Sequence, residues 1–315
     1  MNVADLRTKG WEASITWGDS FTLASKPFNY RIMAGIGDNT SKVTKYDNPN
    51  RTLTDPYEGQ QLGEIWGYVV DGYFKTDEEA RNYKVDQSFV NQMINASALD
   101  NGLHAGDLKF VDLDGNNKIE QTTSANDRKD MKVIGNSLPR YNYNFGISAD
   151  WYGIDFSVLF QGIGKQNWYP GAETSMFWGP YSRPYASFIP SDFMSQVWSE
   201  ENTDAYFPRP RGYVALGSNR ELAVVNTKYL QNLAYCRLKN LSIGYTLPDK
   251  WLSKIGFEKI RVYFSGENLL TFTKLHSDYI DPEQASASNS WKTSKSDANI
   301  YPWAKTYSFG VDITF

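Results

Sequence analysis

The sequence contains one cysteine, two histidines and no long apolar run among its 315 residues. Because Cys236, His104 and His276 are widely separated, neither a disulfide framework nor a Cys/His zinc site is expected. No stretch approaches the roughly 18 consecutive apolar residues that a membrane-spanning helix needs. These absences exclude a helical membrane protein.

The sequence also lacks an excess of positive charge and lacks common enzyme motifs. The 32 basic and 36 acidic residues give a net charge of -4, so the sequence shows neither a nucleic-acid footprint nor a polybasic segment for anionic lipid. It has no G-x-S-x-G elbow, no G-x-x-x-x-G-K phosphate loop and no H-E-x-x-H helix. We therefore expect no enzyme, although a glycosidase pair of carboxylates is left open, since nothing selects a pair.

Aromatic residues, by contrast, are abundant: 10 Trp, 21 Tyr and 17 Phe. The mean hydropathy is nevertheless -0.53. A transmembrane β-barrel produces this combination, because lipid-facing and lumen-facing residues alternate and cancel in any window average. A soluble aromatic-rich β protein is the alternative at this point.

Period-two alternation predicts seven antiparallel strands. It is clearest at the end of the chain, where one face carries Tyr307, Phe309, Val311, Ile313 and Phe315. The other strands are predicted around Trp11–Trp17, Phe28–Ile36, Tyr141–Ala149, Ile154–Phe160, Leu233–Tyr245 and Ile260–Phe264.

Connections of very unequal length join these strands. From the predicted boundaries, short links of about 10, 3 and 11 residues alternate with long links of about 100, 70 and 36, against a usual 2 to 6 in compact domains. Outer-membrane barrels have short periplasmic turns and long extracellular loops. We expect the long links to fold: Thr76 and Glu79 form a capping box for a helix over Asp77–Tyr83, and Ser191 is a candidate cap for another.

The strand count points to a longer protein. Single-chain bacterial barrels generally have an even number of strands, whereas seven are predicted here, with unpaired edges at the first and the last. Residues 1–7 lack the apolar core of a signal peptide. We therefore interpret residues 1–315 as the C-terminal part of a larger β-barrel.

Several segments, in order, resemble the C-terminal third of SusC/RagA-like TonB-linked outer-membrane transporters. Each is weak alone, but their order and spacing together are specific. They are DLRTKGWE (5–12), GY (67–68) with DG (71–72), GDLK (106–109) with DLDG (112–115), VIGN (133–136) with Pro139, EN (201–202) before Pro208, RLKNL (237–241) with GY (244–245), and GENLL (266–270) with DPE (281–283).

The resemblance implies a function as well as a fold. Members of that family are 22-stranded barrels closed by an N-terminal plug, engage TonB through a periplasmic segment, and import oligosaccharides or peptides with a SusD-like surface lipoprotein. Residues 1–315 carry no plug, no TonB-engaging segment, no signal peptide and none of the N-terminal strands, so we expect them to supply barrel wall and extracellular loops in the outer membrane of a Gram-negative bacterium.

An acidic loop in the first long connection is a candidate calcium site. Asp112, Asp114 and Asn116 offer oxygen ligands at alternate positions, with Ile119 as a hydrophobic anchor. The match is partial, because Asn117 occupies the glycine position of an EF-hand loop and Thr123 replaces its closing glutamate; Asp127 or Asp130 is then the candidate closing ligand. The alternative is a turn whose Asx side chains bond their own backbone.

Aromatic residues crowd the second long connection and are candidates for substrate binding, since aromatic faces suit sugar rings and peptide side chains. The alternative is that they pack a core within the loop. The candidate residues are Trp168, Tyr169, Phe177, Trp178, Tyr181, Tyr185 and Trp198, with Phe188 beside them.

Aromatic residues near strand ends, such as Tyr30, Tyr141, Trp151 and Tyr307, are expected to form an interfacial girdle. The apolar face of the last strand is expected to serve membrane insertion and assembly. Two soluble alternatives stay open: a secreted carbohydrate-binding or carbohydrate-cleaving β protein, and a calcium-dependent adhesion module. Detergent dependence would separate both from a membrane barrel.

Overall fold

The computed structural model describes residues 4–91, 102–182, 188–210, 215–217, 220–252, 256–285, 295–296 and 301–315. The strands are β1 (Ala4–Leu23), β2 (Lys26–Tyr46), β3 (Glu64–Tyr68), β4 (Val70–Tyr73), β5 (Leu108–Phe110), β6 (Met131–Asn136), β7 (Arg140–Trp151), β8 (Ile154–Lys165), β9 (Asn167–Pro170), β10 (Gln231–Asn232), β11 (Tyr235–Thr246), β12 (Lys259–Thr273), β13 (Lys295–Ser296) and β14 (Thr306–Thr314). The helices are α1 (Asp77–Arg81), α2 (Ser175–Trp178) and α3 (Asp249–Leu252), with 3-10 turns at Gly179–Tyr181 and Phe193–Gln196.

The seven long strands form one antiparallel sheet in the order β1-β2-β7-β8-β11-β12-β14. If the short strands within the connections are left aside, each long strand pairs with the next long strand along the chain. This arrangement is a β-meander. The predicted all-β class and the seven antiparallel strands are confirmed. In the described part of the chain, no helix is both long enough and apolar enough to cross a membrane.

Strand register divides the sheet into two faces of opposite character. On what we call the apolar face, one row of directly paired residues crosses five strands: Trp17, Ile32, Ile147, Val158 and Leu241. No layer of described residues packs over these side chains; Trp17, for example, is 60% exposed. Such a face requires an apolar neighbour outside the described chain.

The opposite, polar face carries a matching row of small hydroxyl side chains. The row is Ser148, Ser157, Ser242, Ser265 and Ser308, one from each of five adjacent strands. Since side chains alternate between faces, a slip of one residue in β7, β8 or β11 would place a serine in the apolar row. The two rows together therefore specify the register.

Chain connections leave the sheet unequally at its two ends. At the short-turn end, β1 and β2 are joined by Ala24 and Ser25, and β7 and β8 by Tyr152 and Gly153. All four turn residues have positive φ, between 49° and 86°, as a two-residue type I′ hairpin requires. Helix α3, between β11 and β12, also lies at this end. The connections from β2 to β7, from β8 to β11 and from β12 to β14 leave from the long-connection end.

One predicted connection was wrong. The link of about ten residues between the first two strands is a two-residue turn, because the hydrogen-bonded ladder continues from Trp17 to Leu23 and resumes at Lys26. Gly18, Asp19 and Ser20 resemble turn residues in sequence, yet each is paired across the hairpin. The alternation of short and long connections is unaffected.

The buried core lies in the long connections rather than in the sheet. Short sheets β3–β6, β4–β5 and β10–β9–β13 form there, around fully buried residues such as Phe110, Trp178 and Tyr229. Helix α1 begins as predicted: the Thr76 side chain accepts a hydrogen bond from the Glu79 backbone N–H, 3.1 Å away. It ends at Arg81, two residues short of the predicted end. At Ser191 the structure has the 3-10 turn Phe193–Gln196 instead of a helix capped by serine.

An ion pair crosses one strand on the polar face near the short-turn end. Arg261 of β12 donates to both carboxylate oxygens of Asp155 on β8, at 2.8 and 2.6 Å, and also to Asp312 on β14 at 3.3 Å. Strand β11 lies between β8 and β12, and its residue at this level is Gly244. A Cβ at position 244 would lie 2.5 Å from an Asp155 oxygen and 2.6 Å from the Arg261 guanidinium.

We expect Gly244→Val to lower the free energy of unfolding by about 1–3 kcal/mol, because the new side chain displaces the Arg261–Asp155 pair. Gly18→Val is the matched control: it is also a polar-face glycine, and the nearest atom to its added Cβ is a carbonyl oxygen at 3.5 Å. Denaturant titration followed by heat-modifiable gel mobility measures both. Equal losses in the two variants would contradict this role of Gly244.

Candidate functional site

A cavity of about 1360 Å³ lies on the polar face toward the long-connection end. Its wall is formed by β1, β2, β7 and β8, and the segments around Leu62, Leu138 and Pro282 border it. The polar face is therefore the concave side of the sheet.

Amide side chains dominate the polar lining of the cavity. Asn142 and Asn144 alternate along β7, Gln161 of β8 lies directly opposite Asn144, and Gln166 and Asn39 lie nearer the rim. Each amide offers a donor and an acceptor. The cavity is thus suited to a polar, hydrogen-bonding ligand, and the sequence-based search for aromatic clusters did not single out these residues.

A buried ionic network holds the connection after β12 against the cavity rim. Arg237 is 2% exposed and donates to Asp281 at 2.6 Å and to Glu283 at 2.7 Å. Lys239 also bonds Glu283, at 2.9 Å. Because breaking a buried ion pair leaves an uncompensated charge, each partner constrains the position of residues 281–283. Both ends of the network belong to the family-like segments RLKNL and DPE.

Most of the aromatic residues predicted to bind substrate are buried inside the connection. Their exposures are 0% for Trp168, Tyr169 and Trp178, 1% for Tyr181, 2% for Phe177 and 7% for Trp198. Their polar atoms largely bond the backbone: Trp178 Nε1 donates to the Gly171 carbonyl at 2.9 Å, and Tyr169 Oη donates to the Leu222 carbonyl at 2.7 Å. This burial favours the packing alternative for these six residues. Tyr185 lies outside the described residues.

Two aromatic rings near this core are exposed and in mutual contact. Phe188 and Tyr279 are 41% and 45% exposed, with ring centroids 4.7 Å apart. Phe188 belongs to the group of aromatic residues identified from the sequence in the second long connection. Tyr279 does not, because it lies in a different connection. A ligand or partner that approaches the loops meets this pair and not the buried rings.

The acidic loop brings together three carboxylates. Oxygen atoms of Asp112, Asp114 and Asp130 lie within 4.8 Å of one another. The closing carboxylate is therefore Asp130, one of the two candidates, while Asp127 does not join the group formed by the described acidic residues. Asn116 uses its Oδ1 to accept from the Lys118 backbone N–H at 2.8 Å.

Hydrogen bonds within the loop also satisfy the Asx-turn alternative. Asp112 accepts from the N–H groups of Gly115 and Asn117, both at 2.7 Å. Asn117 has φ of 61°, so asparagine adopts the left-handed conformation for which an EF-hand uses glycine. Burial raises the pKa of Asp130 above its usual value, and the charges of Asp114 and Asp112 add to this shift, although two backbone N–H groups oppose it. The loop geometry is thus compatible with both alternatives.

We expect Trp178→Ala to lower the free energy of unfolding by about 3–5 kcal/mol, because it empties a fully buried position. Tyr279→Ala, at an exposed aromatic position, should change it by no more than about 0.5 kcal/mol. Urea unfolding monitored by tryptophan fluorescence distinguishes the two. A Trp178→Ala protein of unchanged stability would show that the buried ring does not support the loop core.

The fold matches that of solved peptide importers. No protein-family model matches the chain. A structure of the RagAB peptide importer in an open-open state superposes with a TM-score of 0.65 at 20% identity, over 100% of this chain and 29% of that one. A second RagAB peptide transporter structure gives 0.63 at 18% identity, over 99% and 29%. At this identity the likeness concerns the fold alone.

Curated relatives extend the likeness to sequence. TonB-dependent receptor P3 of Formosa agariphila is 26% identical over 333 residues, covering all of this chain and 29% of that protein. TonB-dependent receptor P39 of the same organism is 25% identical over 342 residues, covering all of this chain and 31% of that protein. The chain spans less than a third of the length of these relatives, which are named as receptors and not as enzymes. The resemblance to SusC/RagA-like TonB-linked outer-membrane transporters is thereby confirmed.

Proposed function

We propose that this chain forms part of the wall and the extracellular loops of an outer-membrane TonB-dependent transporter. The observation that carries the proposal is the seven-stranded antiparallel sheet with an uncovered apolar face, all of whose long connections leave from one end. A soluble sheet would bury that face against a second layer. Lipid is the apolar neighbour that suits a band of Trp, Ile, Phe and Val facing outward.

The proposed cargo is an oligosaccharide or a peptide, taken up with a SusD-like surface lipoprotein and driven through the TonB complex. The concave cavity lined by amides supports a polar cargo, and the RagAB structures are of a peptide importer. The exposed Phe188–Tyr279 pair is the part of the loops we assign to contact with cargo or lipoprotein, in place of the buried aromatic residues.

Charge on the apolar face tests the membrane assignment. Ile15 is 65% exposed in the middle of β1, so Ile15→Arg should cost about 2–4 kcal/mol in a bilayer and reduce outer-membrane incorporation. Thr16→Arg is the control, because Thr16 faces the polar side of the same strand. Membrane fractionation with urea extraction measures both. A soluble particle, or equal effects of the two changes, would instead favour a secreted carbohydrate-binding or carbohydrate-cleaving protein.

We also propose that Asp112, Asp114 and Asp130 bind Ca²⁺. Three converging carboxylate oxygens suit a hard divalent cation. Because the folded-state pKa of Asp130 is raised, the metal-free protein gains from its protonation at low pH and loses that stabilisation as pH rises through this pKa. Calcium binds the ionised form of Asp130, and its charge offsets the repulsion among the three carboxylates.

We therefore expect the calcium-induced increase in melting temperature to shrink as the pH is lowered, and to begin shrinking at a higher pH than an ordinary aspartate would give, since the pKa of Asp130 is raised. Asp130→Asn should abolish the increase, whereas Asp127→Asn, outside the carboxylate group, should leave it unchanged. Calorimetry in millimolar Ca²⁺, with Mg²⁺ as a comparison, measures this. An equal increase in the Asp130→Asn variant would leave the loop as an Asx turn.

A further inference from the structure

Three basic residues lie together on the apolar face of the β1–β2 hairpin, just beyond its apolar band. Along β1 the face carries Ile15, Ala13 and Trp11 and continues with Lys9 and Arg7 toward the long-connection end. Lys42 of β2 joins them, because it is paired directly with Arg7. Arg7, Lys9 and Lys42 are all exposed. We call these three residues the basic cluster.

The pairing within the basic cluster is electrostatically unfavourable as it stands. Directly opposed residues have Cβ atoms about 4.5–5.5 Å apart, and like charges there destabilise a sheet. Lys9 is the diagonal neighbour of Lys42, at about 7–8 Å. None of the three forms an ion pair with another described residue. Two acidic residues lie near the cluster in register. Asp38, the diagonal neighbour of Lys9, accepts hydrogen bonds from Arg140, and Asp5 lies across a bulge and is paired with Lys45.

The height of the cluster matches the lipid headgroup layer. Each two-residue step along a strand is about 7 Å, or roughly 5 Å along the membrane normal at the strand tilt of a barrel. The headgroup layer adds about 5–8 Å on each side of the hydrocarbon. With Trp11 at the edge of the apolar band, Lys9 lies one step above it, within the headgroup layer. Arg7 and Lys42 lie two steps above it, at roughly 10 Å, just beyond the outer boundary of that layer.

We propose that the basic cluster binds the phosphate groups of a phosphorylated glycolipid headgroup in the leaflet that faces the long connections. This proposal rests on the proposed membrane assignment, which sets the height and the leaflet. Arginine engages phosphate oxygens through two parallel N–H donors, and lysine adds a point charge. A bound phosphate converts the opposed cations into a favourable arrangement.

A membrane lipid suits this site better than a free anion does. The cluster is open and has no buried donor, so a dissolved phosphate gains little from it in water. A lipid headgroup is already confined to the membrane plane at the same height, which raises its effective concentration. Trp11, 52% exposed below the cations, offers its indole to the sugar part of the same headgroup.

The test uses the full protein that carries this chain, purified in detergent and titrated with diphosphoryl lipid A. Native mass spectrometry measures the fraction of protein that retains lipid. We expect the combined Arg7→Gln, Lys9→Gln and Lys42→Gln variant to bind on the order of a hundredfold more weakly. The control variant, Lys26→Gln with Lys259→Gln, neutralises exposed lysines at the short-turn end and should bind like the wild type.

Two further measurements separate the sources of phosphate. Dephosphorylated lipid A should bind weakly to the wild type, and inorganic phosphate at 10 mM should not compete with the lipid. Equal binding of lipid A by the wild type and the triple variant would overturn the proposal, as would competition by inorganic phosphate. If the triple variant fails to fold, the comparison of phosphorylated with dephosphorylated lipid on the wild type still decides it. A wild-type protein that does not insert into the membrane would refute the proposed function itself.

Discussion

The alternation of side chains along paired strands is the constraint on which the rest of the structure depends. In a bilayer every backbone N–H and C=O must be paired within the protein, and an antiparallel ladder achieves this only while each strand keeps its neighbours. The rows from Trp17 to Leu241 and from Ser148 to Ser308 show the consequence: one face is apolar and uncovered, and the other is hydroxyl-rich and concave. Gly244 fits the same rule, since its missing side chain lets Arg261 reach Asp155 across a strand without disturbing the ladder.

Because the sheet directs its apolar side chains outward, it cannot supply a hydrophobic core of its own. That core forms in the long connections, where Trp168, Trp178 and Tyr229 are fully buried. The connections then act as a folded body, tied to the sheet by the buried pairs of Arg237 with Asp281 and Glu283. The cavity between sheet and connections takes its amide lining from the strands and part of its rim from residues 281–283. The cavity lining and the stability of the loop core therefore depend on different residues.

Sequence reasoning succeeded where the signal is local and periodic. Two-residue alternation located all seven strands, and the Thr76–Glu79 pair located the start of α1. It failed at the first turn, since Gly18, Asp19 and Ser20 have turn composition but continue the ladder. For Trp168 and its neighbours it left substrate binding and loop packing both open, because composition shows that aromatic residues are clustered but not whether they face outward. For the acidic loop it identified Asp112 and Asp114 and left two closing residues open, since the return of the chain to Asp130 is a tertiary contact.

The sequence by itself determined the all-β class, the membrane-type alternation and the likeness to TonB-dependent receptors, because these depend on residue order over a few positions or on matched segments. Only the tertiary structure decided which side chains share a site. Arg7 and Lys42 are 35 positions apart and give no polybasic run, yet strand register places them directly opposite each other. The same reason explains the contacts of Arg237 with Asp281 and of Phe188 with Tyr279. Contacts between distant segments follow from how strands pair and connections pack, and no local pattern records them.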